Sequence, residues 1–158
     1  MNIQLRKAKI EDYEALCDIY WELDTLHIEN HPELFVKPKD YPRAKKYIAE
    51  IIQDQDQALI VATKDSMIVG FVESHVLKSS SFPVFKKREW VQINSLVVKK
   101  EYQGNQIGSL LLQEVSKWTK GKNINRIELD VYTFNQKALE FYLKNGFKEI
   151  SKQLYLEL

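Results

Sequence analysis

The spacing of apolar residues changes period several times along the chain, and each change predicts an element. Ile3 to Ala8 sets Ile3 and Leu5 against Gln4 and Arg6, a strand alternation. From Ile10 to about Ile28, Tyr13, Leu16, Cys17, Tyr20, Leu23 and His27 recur at helical spacing, which predicts a helix with one buried face. Glu11 and Asp12 suit its first turn, where the dipole favours carboxylates, and Pro32 stops it. A loop with Pro38 and Pro42 leads to a second helix over about Tyr41 to Gln53, with Tyr47, Ile48, Ile51 and Ile52 on one side. Ala58 to Thr63 and Met67 to Leu77 are β-branched runs joined by Lys64-Asp65-Ser66, a hairpin of the longer-loop kind. Lys78 to Arg88, with its serines and Pro83, reads as a flexible connection and a candidate lid. Trp90 to Val98 is the next strand. A helix follows over Gln106 to about Lys120, with Ile107, Leu110, Leu111, Val115 and Trp118 inward and Gly121 at its C-cap. Ile124 to Tyr132 is a strand, Gln136 to Lys144 a helix capped by Asn135, and Phe147 to Leu158 a final strand.

Hairpins come first and a strand-helix-strand-helix-strand unit second. That order predicts an α/β fold: one domain over residues 1–158, a mixed, largely antiparallel sheet with helices on both faces. The 158 residues suffice for one core. Lys plus Arg number 23 and Asp plus Glu 22, a balance that argues against nucleic-acid and membrane-surface partners. The single cysteine, Cys17, excludes an intrachain disulfide and a cysteine-framed zinc site. His27, His31 and His75 show no metal spacing. The first residues have no apolar leader, and no window is long enough to span a bilayer, so a cytoplasmic protein is expected. Lys86-Lys87-Arg88 reads as a solvated loop face.

The segment with chemistry is Gln103-Gly104-Asn105-Gln106-Ile107-Gly108, after an apolar strand and at the start of an amphipathic helix. Unpaired amides of a first helical turn, together with the dipole, favour an anion there. Gly104 and Gly108 leave room for phosphates to approach the backbone. A P-loop is excluded, because Ser109 and Leu110 stand where its lysine belongs, and the dinucleotide fingerprint has a different glycine spacing.

The run Leu96 to Leu111 resembles the acetyl-CoA pyrophosphate-binding motif of the GNAT superfamily of N-acetyltransferases. Asn135 to Phe147, with its Asn, Ala, Tyr and Gly-Phe in order, is similar to the same family's C-terminal motif. The resemblance implies an acyl-CoA N-acyltransferase fold that moves acetyl from acetyl-CoA directly to a primary amine of a small molecule or protein. It implies that Leu96, Val97 and Val98 line the pantetheine arm. Gln103, Gly104, Asn105, Gln106, Ile107, Gly108 and Ser109 would cradle the pyrophosphate, with Asn135 near the coenzyme. Tyr142 would protonate the leaving thiolate, and the amide of Val97 or Val98 would stabilise the acyl oxygen. One departure stands at Gln106, where the family usually has glycine; glutamine fits if the residue has helical backbone angles.

The incoming ammonium must lose a proton before it attacks. The family often places a glutamate on the fourth strand, where this chain has Asn94. Asp130, Glu73 and a water chain are the remaining candidates for the base, and Glu22 with His27 is a candidate cation contact. Cys17 sits mid-helix without an activating histidine, which argues against a covalent intermediate. Lys99 and Lys100 can assist the phosphates by charge, and Trp21, Phe35, Phe82 and Phe85 lie near the expected substrate side. No acidic excess marks a polycation pocket, which favours a small or monocationic acceptor. A missing fourth-strand glutamate also fits a non-catalytic acyl-CoA sensor. The alternating segment Gln153 to Leu158 is a candidate edge for a homodimer.

Overall fold

A computed structural model describes residues 2–158. Its elements, in chain order, are β1 (Gln4–Lys7), α1 (Tyr13–Asn30), α2 (Lys45–Gln53), β2 (Gln57–Lys64), β3 (Met67–Lys78), β4 (Glu89–Val98), α3 (Ile107–Gly121), β5 (Ile127–Leu129) and α4 (Gln136–Lys144). The five strands form one sheet in the order β1-β2-β3-β4-β5. The first three pairings are antiparallel and β4–β5 is parallel, because α3 makes the crossover. This is the mixed, largely antiparallel α/β architecture that the element order predicts.

Both faces of the sheet are covered. On one, Tyr13, Leu16, Ile19 and Tyr20 of α1 and Ile48 and Ile51 of α2 pack on Leu59, Val61, Phe71 and Val97. On the other, Ile107, Leu111, Leu112 and Val115 of α3 pack on Ile60, Val69, Val72, Val91 and Ile93. Each fully buried side chain of this size contributes ~1.5–3 kcal/mol by leaving water. A bidentate ion pair ties β1 to the start of α1: Arg6 donates to both oxygens of buried Asp12 at 2.6 and 2.8 Å.

Several expected boundaries move. The first turn of the long helix, Ile10–Asp12, is a 3-10 turn, and the second helix begins at Lys45, since Pro42 lies too close for Tyr41 to start it. The β2–β3 hairpin has a two-residue turn, Asp65 and Ser66, both at positive φ (49° and 68°), the tightest connection rather than the longer loop. The left-handed residue after α3 is Asn123 (φ 60°), whereas Gly121 ends the helix itself. The strand expected over 124–132 shrinks to Ile127–Leu129, because β5 separates from β4 beyond Leu129. The final strand expected over 147–158 is absent: Ile150, Leu154, Tyr155, Leu156 and Leu158 are exposed and pair with no strand among the described residues. The 79–88 loop is closed at its neck by a Ser79 to Arg88 main-chain bond of 3.0 Å. Arg88 is not merely solvated: it stacks on Trp90 at 4.0 Å and donates to Glu128 at 2.7 Å.

Candidate active site

The parallel pair β4–β5 holds only at Val91–Ile127, Gln92–Glu128 and Ile93–Leu129. Past those residues the strands part, and residues 94–98 face a gap. The ladder on the other side of β4 shows which groups line it. Lys99 donates to Val69 at 2.9 Å, and the register pairs Val98 with Gly70 and Val97 with Phe71. Hydrogen-bonded pairs alternate in an antiparallel ladder, so the main chain of Val97 is spent on Phe71, while that of Leu96 and Val98 turns toward the gap. The ladder also carries a bulge: Glu73 pairs with Ser95 and Ser74 with Ile93, leaving Asn94 as the extra residue.

At one end of the gap stands the N-terminus of α3. Leu110 is the first residue whose amide bonds back into the helix, to Gln106 at 3.1 Å. The amides of Ile107, Gly108 and Ser109 therefore have no partner inside the helix, and Gln106 supplies no side-chain cap. Gln106 is left-handed (φ 62°, ψ 5°), not helical, a backbone that glycine adopts at less cost than glutamine. Gly104 is also left-handed (φ 79°) with open space around it. Gly108 serves another purpose. A Cβ there would meet the Phe141 ring at 3.2 Å, so the missing side chain lets α4 close onto α3 rather than clearing a path for a ligand. Asn105 folds its amide onto the carbonyls of Tyr102 and Gln103, and Gln103 donates to the Val98 carbonyl at 3.0 Å, so these two side chains brace the turn.

Across from β4, α4 starts at Asn135, whose Oδ1 accepts from the Ala138 amide at 3.1 Å. Two turns on, Tyr142 is 9% exposed between the rings of Phe141 and Phe147. Burial pushes its phenol up to about 12, so it stays protonated at neutral pH.

The structure separates the base candidates. Asp130 follows β5 at the mouth of the gap; it is exposed and accepts from Gln92 at 3.1 Å. Glu73 is 2% exposed on β3, one ladder step from the bulge. Its Oε2 accepts from Tyr20 of α1 at 2.5 Å, and its Oε1 from Tyr47 of α2 at 2.5 Å and from Asn94 at 3.0 Å. Burial, and then the Glu73 charge, push both phenols well above the ordinary tyrosine value. Arg43, paired with Asp24, lies over the Tyr20 ring at 4.5 Å. Glu22 is occupied elsewhere, accepting from the Lys100 amide at 3.2 Å. His27 Nδ1 donates to the Leu23 carbonyl at 2.8 Å, and the ring joins Phe35, Tyr132 and Phe134 in an aromatic cluster that bridges α1 and the β5–α4 loop. Among the described residues, no three His, Cys, Asp or Glu side chains are grouped to hold a metal ion.

Tyr20 and Tyr47 are the site residues that helical periodicity missed, because a tyrosine on an apolar face reads as core. The available signal was chemical: a buried phenol needs a partner, and Glu73 is the one carboxylate in the run from Met67 to Leu77. A cavity of about 260 Å³ opens beside Asn94, lined also by Asp54, Asp56, Gln57, Val76 and His75. The buried Nδ1 of His75 has no hydrogen-bond partner among the described residues.

A sheet that opens between two strands, with free helix amides at one end and a buried phenol alongside, defines an acyl-transfer architecture. The profile of the Acetyltransferase (GNAT) family matches residues 13–147, and the chain belongs to that family. It is 31% identical over 156 residues to a spermidine N(1)-acetyltransferase of Thermoplasma acidophilum, covering 94% of this chain and 89% of the relative. An N-alpha-acetyltransferase of Sulfurisphaera tokodaii is 30% identical over 118 residues, 72% of this chain and 68% of that one. Among solved structures, a mutant of the BH1408 protein of Bacillus halodurans superposes with a TM-score of 0.92 at 22% identity, over 98% of this chain and 99% of the other. Glucosamine-6-phosphate N-acetyltransferase of Arabidopsis thaliana gives 0.74 at 17% identity, over 99% of both chains. The protein is an acetyltransferase enzyme, which sets aside the non-catalytic sensor.

Proposed function

We propose that the enzyme transfers acetyl from acetyl-CoA directly to the primary amine of a small cationic acceptor. The observation that carries this reading is the gap between β4 and β5, which ends at the unpartnered amides of Ile107, Gly108 and Ser109. A long donor with an anionic end fits it: pyrophosphate on the amides, pantetheine along the main chain of Leu96 and Val98, and thioester near the bulge at Asn94. The Val98 amide, turned toward the gap, is the better placed of the two oxyanion donors. Tyr142, protonated and buried, supplies the proton for the departing thiolate.

Two features support a cationic acceptor. The cavity beside Asn94 carries Asp54 and Asp56, an acidic lining that net charge alone did not signal. The relative from Thermoplasma acidophilum is named for spermidine, a polyamine. Glu73 is the group we assign to take the ammonium's proton, while exposed Asp130 at the gap mouth draws the cation in.

Calorimetric titration with acetyl-CoA, followed by thiol release against spermidine, amino sugars, amino acids and a peptide N-terminus, tests the reading. Binding with turnover on an amine is the expected result. Absence of acetyl-CoA binding would overturn it. Asp130→Asn is expected to raise KM for the amine, and Glu73→Gln to lower kcat at neutral pH.

A further inference from the structure

Glu73 faces two environments. Its Oε2 is fixed toward the core by Tyr20, which is fully buried. Its Oε1 is turned to the only exposed members of the cluster, Asn94 and Tyr47. Glu73 is buried, 2% exposed as a residue, and its two oxygens are covered by Tyr20, Tyr47 and Asn94, so an ammonium at the bulge meets those groups first. Tyr47 can be reached: it is 38% exposed, and its hydroxyl ends on Oε1, the oxygen that Asn94 also contacts. Asn94 can orient a cation through Oδ1, but an amide has no proton to pass on and take back. A phenol has.

We propose that Tyr47 is a catalytic proton carrier between the acceptor ammonium and Glu73, an inference that rests on the amine-acetylating function above. The ammonium of the substrate gives one proton to the Tyr47 oxygen as the Tyr47 hydroxyl proton passes to Glu73 Oε1. The amine is left neutral, Tyr47 remains a phenol and Glu73 becomes the carboxylic acid, so charge and protons balance without another reactant. The carboxylate that the family resemblance leads one to expect at Asn94 is thus supplied from the neighbouring strand, with Asn94 bonded to it at 3.0 Å. The groups facing the relay are Tyr20 and Arg43, the latter neutralised by Asp24, from the α1–α2 side, Asn94 from β4, and His75 two residues along β3.

The test is the pH profile of kcat/KM for Tyr47→Phe, with acetyl-CoA and the best amine acceptor of the wild type. Near neutral pH the variant should fall by about 100-fold, the lower range for general base catalysis. As pH approaches the amine's own value, about 10.4 for a lysine-like amine, the loss should disappear because the substrate arrives neutral. Glu73→Gln should show the same displaced acid limb. A depression equal at every pH would mean a structural role and overturn the relay, as would an unchanged profile. If Tyr47→Phe no longer binds acetyl-CoA, Glu73→Gln decides: the displaced limb supports the relay, and any other profile removes its acceptor. If the wild type turns over no amine at all, the amine-acetylating function itself fails, and the relay with it. That result is distinct from a wild type that works and a variant whose profile does not move.

Discussion

Tyr142 keeps its proton because burial raises its phenol to about 12, well beyond the working range of most enzymes. A phenol must be protonated to act as an acid, so no decline in rate between neutral pH and about pH 10 should come from this group. Tyr142→Phe is expected to lower kcat by ~10²-fold or more while leaving acetyl-CoA affinity nearly unchanged, as steady-state kinetics and calorimetry will show. Gln106 makes the opposite kind of prediction. It holds a left-handed backbone that costs a side-chain residue ~1–2 kcal/mol, part of which Gly would forfeit by loosening the unfolded chain. Gln106→Gly should therefore raise the melting temperature slightly and tighten acetyl-CoA binding.

Asp12 carries an acid-sensitive part of the stability. Burial alone would raise its carboxyl, but the Arg6 guanidinium and the Lys9 amide hold it below the usual 3.8. Its contribution is therefore complete above that value and lost as pH falls through the lower, folded one. Asp12→Ala should cost ~1–3 kcal/mol at neutral pH and flatten the acid limb of a denaturant-midpoint profile. Asp12 was legible only as a helix-start residue, since nothing in sequence spacing announces its partner six residues earlier. Tyr142 and Asn135 were legible as motif positions. Tyr20 and Tyr47 were not, because periodicity assigns a face and is silent on whether that face holds core or chemistry.

Among the elements, Gly70 fixes how closely β3 and β4 lie. A Cβ there would sit 2.7 Å from the Val97 carbonyl oxygen, a main-chain atom that cannot swing aside. Gly70→Ala should destabilise the fold by ~1–3 kcal/mol, as overpacking does, and shift the strand whose far side faces the gap. Loss of acetyl-CoA affinity beyond the loss of stability, read by calorimetry at low temperature, checks the second effect. The order of helices and strands was readable because each long element has a clean period. The ends were not. β5 is three residues long because the sheet must open there, a tertiary requirement that the apolar run from Ile124 to Tyr132 does not reveal. The segment after Phe147 alternates like a strand, yet it has no partner strand among the described residues.

For the molecule as a whole, that tail is the most exposed apolar surface, with Leu154, Tyr155 and Leu156 each more than 80% accessible. We expect it to be the contact through which two copies associate. Sedimentation velocity should show a concentration-dependent dimer that is lost when the chain is stopped after Ser151. Among the described residues no helix is long and apolar enough to cross a membrane.

The close approach of Gly108 to Phe141 has a consequence for how the enzyme gauges its donor. One end of that contact belongs to the helix start that would grip the pyrophosphate, and the other is the neighbour of Tyr142. In the proposed seating, anchor and acid are thus jaws of one calliper, set by a hydrogen atom where a methyl group would press on the Phe141 ring at 3.2 Å. With acetyl-CoA seated as proposed, the span between them would act as a length standard for the pantetheine arm. A donor cut short or lengthened between phosphate and sulfur would seat at one jaw and miss the other, binding without reacting.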